Sequence, residues 1–545
     1  MRRREFIKLT ATASAISLVP SEVFGLMRSF GMDTCPDLSD KKLVLIQLVG
    51  ANDGLNTVVP INQYDLYAGL RPNLKLNLTG TNGIIPLDST LSLENQIGLH
   101  PSLTGFKELY DNGLMQIIQG VGYPNINKSH FKSTDLWLSG GDGTPANFAF
   151  ENGWIGRFIE NYYADLLRAT FPLGIQLGSS DTSLGFHGEV EHGMSININN
   201  QDPGGFYSVV NGLGGSPPDT IPNSEYGERI QFLTDLDNAS NVYSPGITNA
   251  FNTGTNTVTY PESDIANQLK TVAKFITGGL KTKVHLVRLG SFDTHEWQIY
   301  SGAESHSGYH ASLLKNLSEA VNAFVKDLDQ QNKGNDVLTI TFSEFGRKAA
   351  ENASLGTDHG QVAPMFVFGK TITPGVLGTN INLLEATEEN NYQVETIQHD
   401  YRRVFSTILQ DWLGAASNYL DMTFYDNTTN SGFGNFKIDN LINAQNKVPP
   451  ECYRSTIPIE PSKSILELTI YPNPTSDFVY ISAPIDIDIY TVNLYAVNGK
   501  YNGTYRNPVA SSDFVIDVQS LSTGEYILRI ETKTGTKIKK LIVWK

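Results

Sequence analysis

Short runs of near-continuous hydrophobic residues recur along the chain at Lys42–Val49, Leu114–Val121, Val284–Leu289, Val337–Phe342 and Met365–Phe368. Each is predominantly apolar or β-branched and so reads as a strand buried on both faces, the pattern of a parallel sheet sandwiched between helices. Between them lie stretches with apolar residues at helical spacing: Ser102–Asn112 (Leu103, Phe106, Leu109 and Tyr110, stopped by Gly113), Trp154–Tyr163, Ile265–Phe275, Leu313–Leu328 and Tyr401–Leu413. Strands alternating with helices predict an α/β fold, a doubly wound and mainly parallel sheet, over residues 40–450. The stretch 195–261, rich in Asn, Gly, Ser and Pro, is expected to be an insertion or lid over that sheet. After a linker at 451–463 the period becomes two. Leu466–Tyr471, Phe478–Ser482, Val492–Val497, Phe514–Val518, Tyr526–Ile530 and Ile538–Trp544 predict a small β-sandwich over 464–545.

The residues just past the hydrophobic runs carry the candidate chemistry. Lys42–Val49 is followed by Asn52 and Asp53, and Val284–Leu289 by Asp293 and His295. Val337–Phe342 leads into Glu344 and Arg347, then Asp358 and His359. In a parallel sheet the carboxyl ends of the strands share one edge, where ligands bind. Carboxylate oxygens and imidazole nitrogens gathered there suit one or two divalent cations, with Zn, Mn, Mg, Ca and Fe all compatible. Each residue also has a plainer reading: Asn52-Asp53-Gly54 makes a tight turn, and Arg347 braces Glu344 or clamps an anion. Ser129 opens a helix, either as a structural N-cap or as a nucleophile at a helix start. His399 is a candidate late ligand, and His306 and His310 are within reach of the same edge. His285, inside a strand, reads as a core histidine, and His187 and His192 as surface residues.

Composition narrows the class. The chain has 545 residues, 40% of them hydrophobic, and a formal net charge of −16. That acidity disfavours nucleic acid, whose phosphates draw on a basic surface. No run past the N-terminus is long and apolar enough for a transmembrane helix in the mature chain. The start does carry a signal: Arg2-Arg3-Arg4-Glu5-Phe6-Ile7-Lys8 precedes the mildly apolar Leu9–Val19, an export segment over residues 1–30. The two cysteines, Cys35 and Cys452, are too few for a thiolate metal site and are expected to join the ends of the main domain in an oxidising compartment.

These motifs resemble known families. Arg3-Arg4, Phe6 and Lys8 resemble a twin-arginine signal, with Arg2 where Ser or Thr is usual. Gly50–Asn56, Lys128–Phe131, Phe292–His295, Ser343–Arg347 and Gly356–Gly360 together resemble an exported family of unknown function within the alkaline phosphatase and sulfatase superfamily. The resemblance covers roughly Lys42 to Leu413 and implies a metal-dependent hydrolase of phosphate-type esters, less often sulfate esters. It places Asp53, Asp293, His295, Asp358, His359 and His399 as metal ligands, with Ser129 as nucleophile; beside these, Glu344 is a further candidate ligand and Arg347 a candidate anion clamp. The spacing of Asp293 and His295 is tighter than the superfamily's, which leaves His310 in play. The sulfatase signature is absent. Tyr471-Pro472-Asn473-Pro474, Leu521–Tyr526 and Lys539-Lys540 resemble the type IX secretion C-terminal sorting domain of Bacteroidetes-like bacteria. Together the two ends imply passage through the periplasm to the cell surface or beyond, with both export machineries as partners and a small anionic ester as substrate. The competing reading is a non-catalytic surface protein that keeps a structural cation and binds glycan or an envelope partner.

Overall fold

The computed structural model describes residues 35–144, 152–167, 169–178, 184–188, 195–198, 203, 242–424, 436–454, 469–483, 489–496, 501–511, 513–532 and 535–545. The export segment 1–30, His192, the linker from 455, Leu466–Leu468 and most of 199–241 lie outside the described residues. The chain divides into two compact units, one within residues up to Ser455 and one holding the chain from Thr456 to Lys545.

A nine-stranded sheet forms the centre of the first unit. Its strands are β1 (Lys42–Leu48), β2 (Met115–Gly122), β3 (Gly174–Leu177), β4 (Ser195–Ile198), β5 (Val284–Leu289), β6 (Val337–Phe342), β7 (Ala363–Phe368), β8 (Gly375–Leu377) and β9 (His399–Asp400). They run β8-β2-β7-β6-β1-β5-β3-β4, with β9 also on β2. β1 pairs parallel with β5 and β6, while β7 runs antiparallel between β6 and β2. Because β7 reverses direction, the connection from β6 never leaves the sheet's carboxyl edge. Residues 343–362 are therefore all held where β1, β2 and β5 also end.

The strands are apolar throughout because both faces are covered. In β1, Val44, Ile46 and Leu48 face a core shared with helices α1 (Thr104–Asp111), α4 (Asp264–Thr277) and α5 (Tyr309–Gln330). Leu43 and Leu45 face the other core, shared with α2 (His130–Ser139), α3 (Trp154–Tyr162) and α6 (Tyr401–Thr407). Alternate residues of an extended strand point to opposite faces, so one heptapeptide anchors both layers. The short strands β3, β4, β8 and β9 escape sequence reading because each is four residues or fewer. β4 also corrects the expected insertion, since residues 195–198 belong to the sheet. Cys35 and Cys452 are joined in a disulfide across 417 residues of sequence. Among the described residues no helix is long and apolar enough to cross a membrane.

The C-terminal unit is two antiparallel sheets, three- and four-stranded, closing on Val479, Ile481, Val492, Leu494, Ile516, Leu528, Ile530 and Leu541. Its strand Tyr501–Ser511 goes unread in the sequence, because Asn502-Gly503 and Pro508 look like turn residues. It is an edge strand, where a missing N–H and a glycine are tolerated.

Candidate metal centre

Four side chains from three strand ends converge on one point. β2 leads to α2, whose first residue is His130; β5 leads to Asp293 and His295; β6 leads to His359. The loop after β6 folds back on itself, with Gly360 N–H donating to the Gly346 carbonyl at 2.7 Å and an antiparallel bridge pairing Arg347 with His359. The loops after β5 and β6 are tied by Thr357 N–H to the Thr294 carbonyl at 3.1 Å. Gly356 lies so close that a Cβ there would stand 2.3 Å from the His295 carbonyl oxygen, so only glycine fits. α2 is fixed from below, because Ser133 Oγ and Trp137 Nε1 both donate to the Glu344 carbonyl, at 2.6 and 2.9 Å.

The Nε2 atom of His359 lies 3.0 Å from that of His130 and 2.8 Å from that of His295. Asp293 Oδ1 is 3.3 Å from His130 Nε2, 3.3 Å from His295 Nε2 and 3.8 Å from His359 Nε2. All four donor atoms fall within 4.8 Å of one another. Four ligands at roughly 2.0–2.1 Å from a tetrahedral ion stand about 3.4 Å apart, so the spacing fits one cation.

The outer nitrogens fix how the rings are turned. His130 Nδ1 is 2.7 Å from Glu344 Oε1, His295 Nδ1 is 3.1 Å from Asp358 Oδ1, and His359 Nδ1 is 2.7 Å from the Lys128 carbonyl. Carboxylates and carbonyls only accept, so each Nδ1 donates outward and each Nε2 faces inward. Three Nε2 atoms and a carboxylate oxygen then face one another. This is the outer-partner pattern that orients metal-bound histidines, and one cation at the focus would engage all four donors. Nitrogen-rich donors favour zinc or iron over calcium or magnesium.

Burial pushes the Asp293 carboxyl up, but hydrogen bonding to Arg347 and the charges of Arg347, His130 and His295 bring it below the usual range. Burial holds the His359 imidazole below its ordinary value, against the pull of its bond to the Lys128 carbonyl. Both directions keep the donors in the forms that bind metal.

The structure brings Asp293, His295 and His359 together, with Glu344 and Asp358 behind them as orienting partners instead of ligands. Glu344 Oε1 also accepts from Gly50 N–H at 2.8 Å, and Asp358 is held by Lys348 and Asn352 at 3.2 and 3.1 Å. The expectation that Asp53 is a ligand is corrected. Its side chain is wholly buried, with Oδ2 2.6 Å from Arg71 Nη1 and 2.6 Å from Gln298 Nε2, so a guanidinium already neutralises it. Arg347 is likewise no free anion clamp. It is buried, and its donors go to the carbonyls of Ala51, Gly50 and Thr357 and to Asp293 Oδ1 at 2.7 Å. It braces Asp293, where the sequence reading had Glu344. His399 is set in β9 beside β2, apart from the converging group, with its Nε2 buried. His310 Nε2 is 2.9 Å from Asn52 Oδ1, and His306 Nδ1 is 3.1 Å from Glu304. Neither joins the cluster.

Ser129 occupies the N-cap position of α2 and is exposed, and its side chain makes no capping bond. The residue that sequence reasoning passed over is its neighbour His130. The signal was present, a histidine at a helix start just past a buried strand, but the adjacent hydroxyl is the more familiar nucleophile.

Residues 270–411 match the family described as Protein of unknown function (DUF1501), and residues 469–544 match the Secretion system C-terminal sorting domain. Among solved structures the chain is similar to a protein of the alkaline phosphatase superfamily from Vibrio parahaemolyticus, at 11% identity and TM-score 0.29. That match covers 62% of this chain and 62% of that one. It is also similar to a phosphoglycerol transferase of Streptococcus pyogenes in complex with sn-glycerol-1-phosphate, at 10% identity and TM-score 0.32, over 77% of this chain and 89% of that one. A third is the PsFucS1 sulfatase of Pseudoalteromonas sp., at 12% identity and TM-score 0.31, over 88% and 84%. No curated protein matches the chain significantly. The sorting domain directs the chain to export at the cell surface.

Proposed function

We propose, from the premise of a DUF1501 segment joined to a secretion sorting domain, an exported single-cation hydrolase of phosphate-type esters, with sulfate esters as the less favoured class. The observation that carries this is the convergence of three Nε2 atoms upon Asp293 Oδ1. His130, Asp293, His295 and His359 would hold the ion, and the donor set favours zinc. A divalent cation there supplies Lewis-acid polarisation of an ester oxygen and lowers the pKa of a nearby hydroxyl or water.

The chain's own residues do the rest. Ser129 is the nucleophile in this reading, its hydroxyl next to His130 at the start of a ten-residue helix whose N–H groups favour an anionic ester. Lys348 and Lys128 supply the positive rim that Arg347 does not. Burial, then the nearby Lys348 charge, lowers the Lys128 ammonium from its usual range. Asp358 and Glu344 keep the rings oriented while the substrate exchanges.

The test is a panel of aryl phosphates and aryl sulfates on metal-loaded protein. Phosphate ester turnover that falls by roughly 100-fold or more in Ser129→Ala supports the assignment. Turnover unchanged in that variant removes Ser129 as nucleophile, and no turnover of either ester class removes the hydrolase.

A further inference from the structure

Two ligating histidines are each followed by an aromatic side chain left in solvent. Phe131, directly after His130, is 78% exposed, and Trp297, two residues after His295, is 60% exposed. Tyr300 and Tyr309 extend the second group, half-exposed, with ring centroids 5.8 Å apart. Large apolar side chains in water forgo the main driving force of folding, so a cluster of them beside a site marks a surface that something covers.

Trp297 is held outward at a conformational cost. Its φ is +55°, a region that bulky L-residues rarely enter. Across from it Leu355 has φ +56°, and the two segments are zipped together by Trp297 N–H to the Ser354 carbonyl and Gln298 N–H to the Leu355 carbonyl, at 3.2 and 3.0 Å. Strain that the surrounding hydrogen bonds enforce, next to reactive chemistry, is a sign of function. Two residues span at most about 7 Å, so the Trp297 backbone lies within one sugar ring's breadth or so of the ligating His295.

We propose that Trp297 is the platform for the carrier of the anionic ester, with Phe131 a further exposed aromatic beside His130, and that this carrier is a saccharide. A pyranose offers an apolar face of C–H bonds to an indole and a rim of hydroxyls to its surroundings. The surroundings fit. Exposed carboxylates of Glu296 and Glu304 border the aromatic segment, Glu296 ready to accept from hydroxyls and Glu304 paired with His306 at 3.1 Å. The same carboxylates, in a chain of net charge −16, repel a carrier bearing several anionic groups, such as a nucleoside polyphosphate. The single anionic group sits instead toward the cation and the Lys128 and Lys348 rim. This inference rests on the reading of His130, Asp293, His295 and His359 as a metal centre.

The test uses the full chain loaded with Co(II), whose visible absorption reports an anion reaching the centre. Inorganic phosphate, phenyl phosphate and the 6-phosphates of glucose, galactose and mannose are titrated into wild type, Trp297→Ala and Trp297→Phe. At least one sugar phosphate is expected to bind the wild type roughly 10-fold more tightly than inorganic phosphate. Trp297→Ala should erase that advantage while leaving inorganic phosphate binding and the cobalt spectrum unchanged, and Trp297→Phe should restore most of it. Equal binding of all phosphates by the wild type, an advantage that survives Trp297→Ala, or one confined to phenyl phosphate overturns the saccharide platform while leaving the metal centre intact. No response to inorganic phosphate in the wild type overturns both.

Discussion

The Nε2 atoms of His295 and His359 stand 2.8 Å apart, each ring turned inward by a partner on its far nitrogen. For His295 that partner is the Asp358 carboxylate and for His359 the Lys128 carbonyl. Two ring nitrogens at that distance call for a proton or a metal cation between them, and the proposed chemistry depends on its being a metal cation.

The outer partners should tune the ion without being bound to it. Glu344→Gln keeps the size of the side chain but loses the negative charge behind His130. Divalent-ion affinity is expected to fall about 10- to 100-fold with the fold retained, read by competition against a chromophoric chelator. An unchanged affinity would show that Glu344 only supports the Gly50 turn.

Asp53 and Arg71 form a wholly buried ion pair at 2.6 Å. Burial alone would raise the Asp53 carboxyl, but the Arg71 charge and hydrogen bond bring it to about 2. A carboxyl depressed in the fold contributes stability above its unfolded value near 4, and that contribution is lost as pH falls toward 2. Arg71→Met leaves the carboxylate unpaired and should cost about 3–5 kcal/mol at pH 8 in urea unfolding. The loss should shrink by pH 5, because Asp53 can then take up a proton, and adding Asp53→Asn should recover part of it.

His285 sits in β5 with both ring nitrogens buried and unpartnered. Burial first, then the Lys42 charge, pushes its pKa down to about 3. A base depressed in the fold stabilises above its unfolded value near 6.5, and the contribution drains away as pH falls toward 3. His285→Leu removes the titration and two orphan polar atoms. It should be neutral to about 1–3 kcal/mol stabilising at pH 7, with a shallower acid limb in stability measured from pH 7 to pH 4.5. A steeper limb would contradict this.

The Cys35–Cys452 bond closes nearly the whole first unit, 417 residues apart in sequence. Chain-entropy arguments give such a bond roughly 2–5 kcal/mol. Reduction, or the Cys35→Ser/Cys452→Ser pair, should lower the melting temperature of the metal-loaded chain while metal content stays the same.

The sheet was legible because apolar strands buried on both faces leave unbroken runs, and β1, β2, β5, β6 and β7 were found that way. Strands of two to four residues leave no such run. The site was legible as an edge, since acids and imidazoles follow several strands in a row. What the sequence withholds is which of these groups face inward. Asp53, Glu344 and Asp358 look like ligands by type, yet each is turned elsewhere by a partner remote in sequence or across a loop: Arg71, Gly50 with His130, and Lys348 with Asn352. His130 was hidden because a histidine at a helix start carries no periodic signal and stands beside a more conspicuous serine.

Anomalous scattering at the absorption edges of zinc and iron, on crystals of the chain purified without chelator, locates the cation and its ligands. One peak per chain is expected, bonded to His130, Asp293, His295 and His359 at about 2.0–2.2 Å and absent from Asp53. A peak ligated by Asp53, or density at the His295–His359 focus that is water alone after reloading with zinc and iron, would contradict this placement.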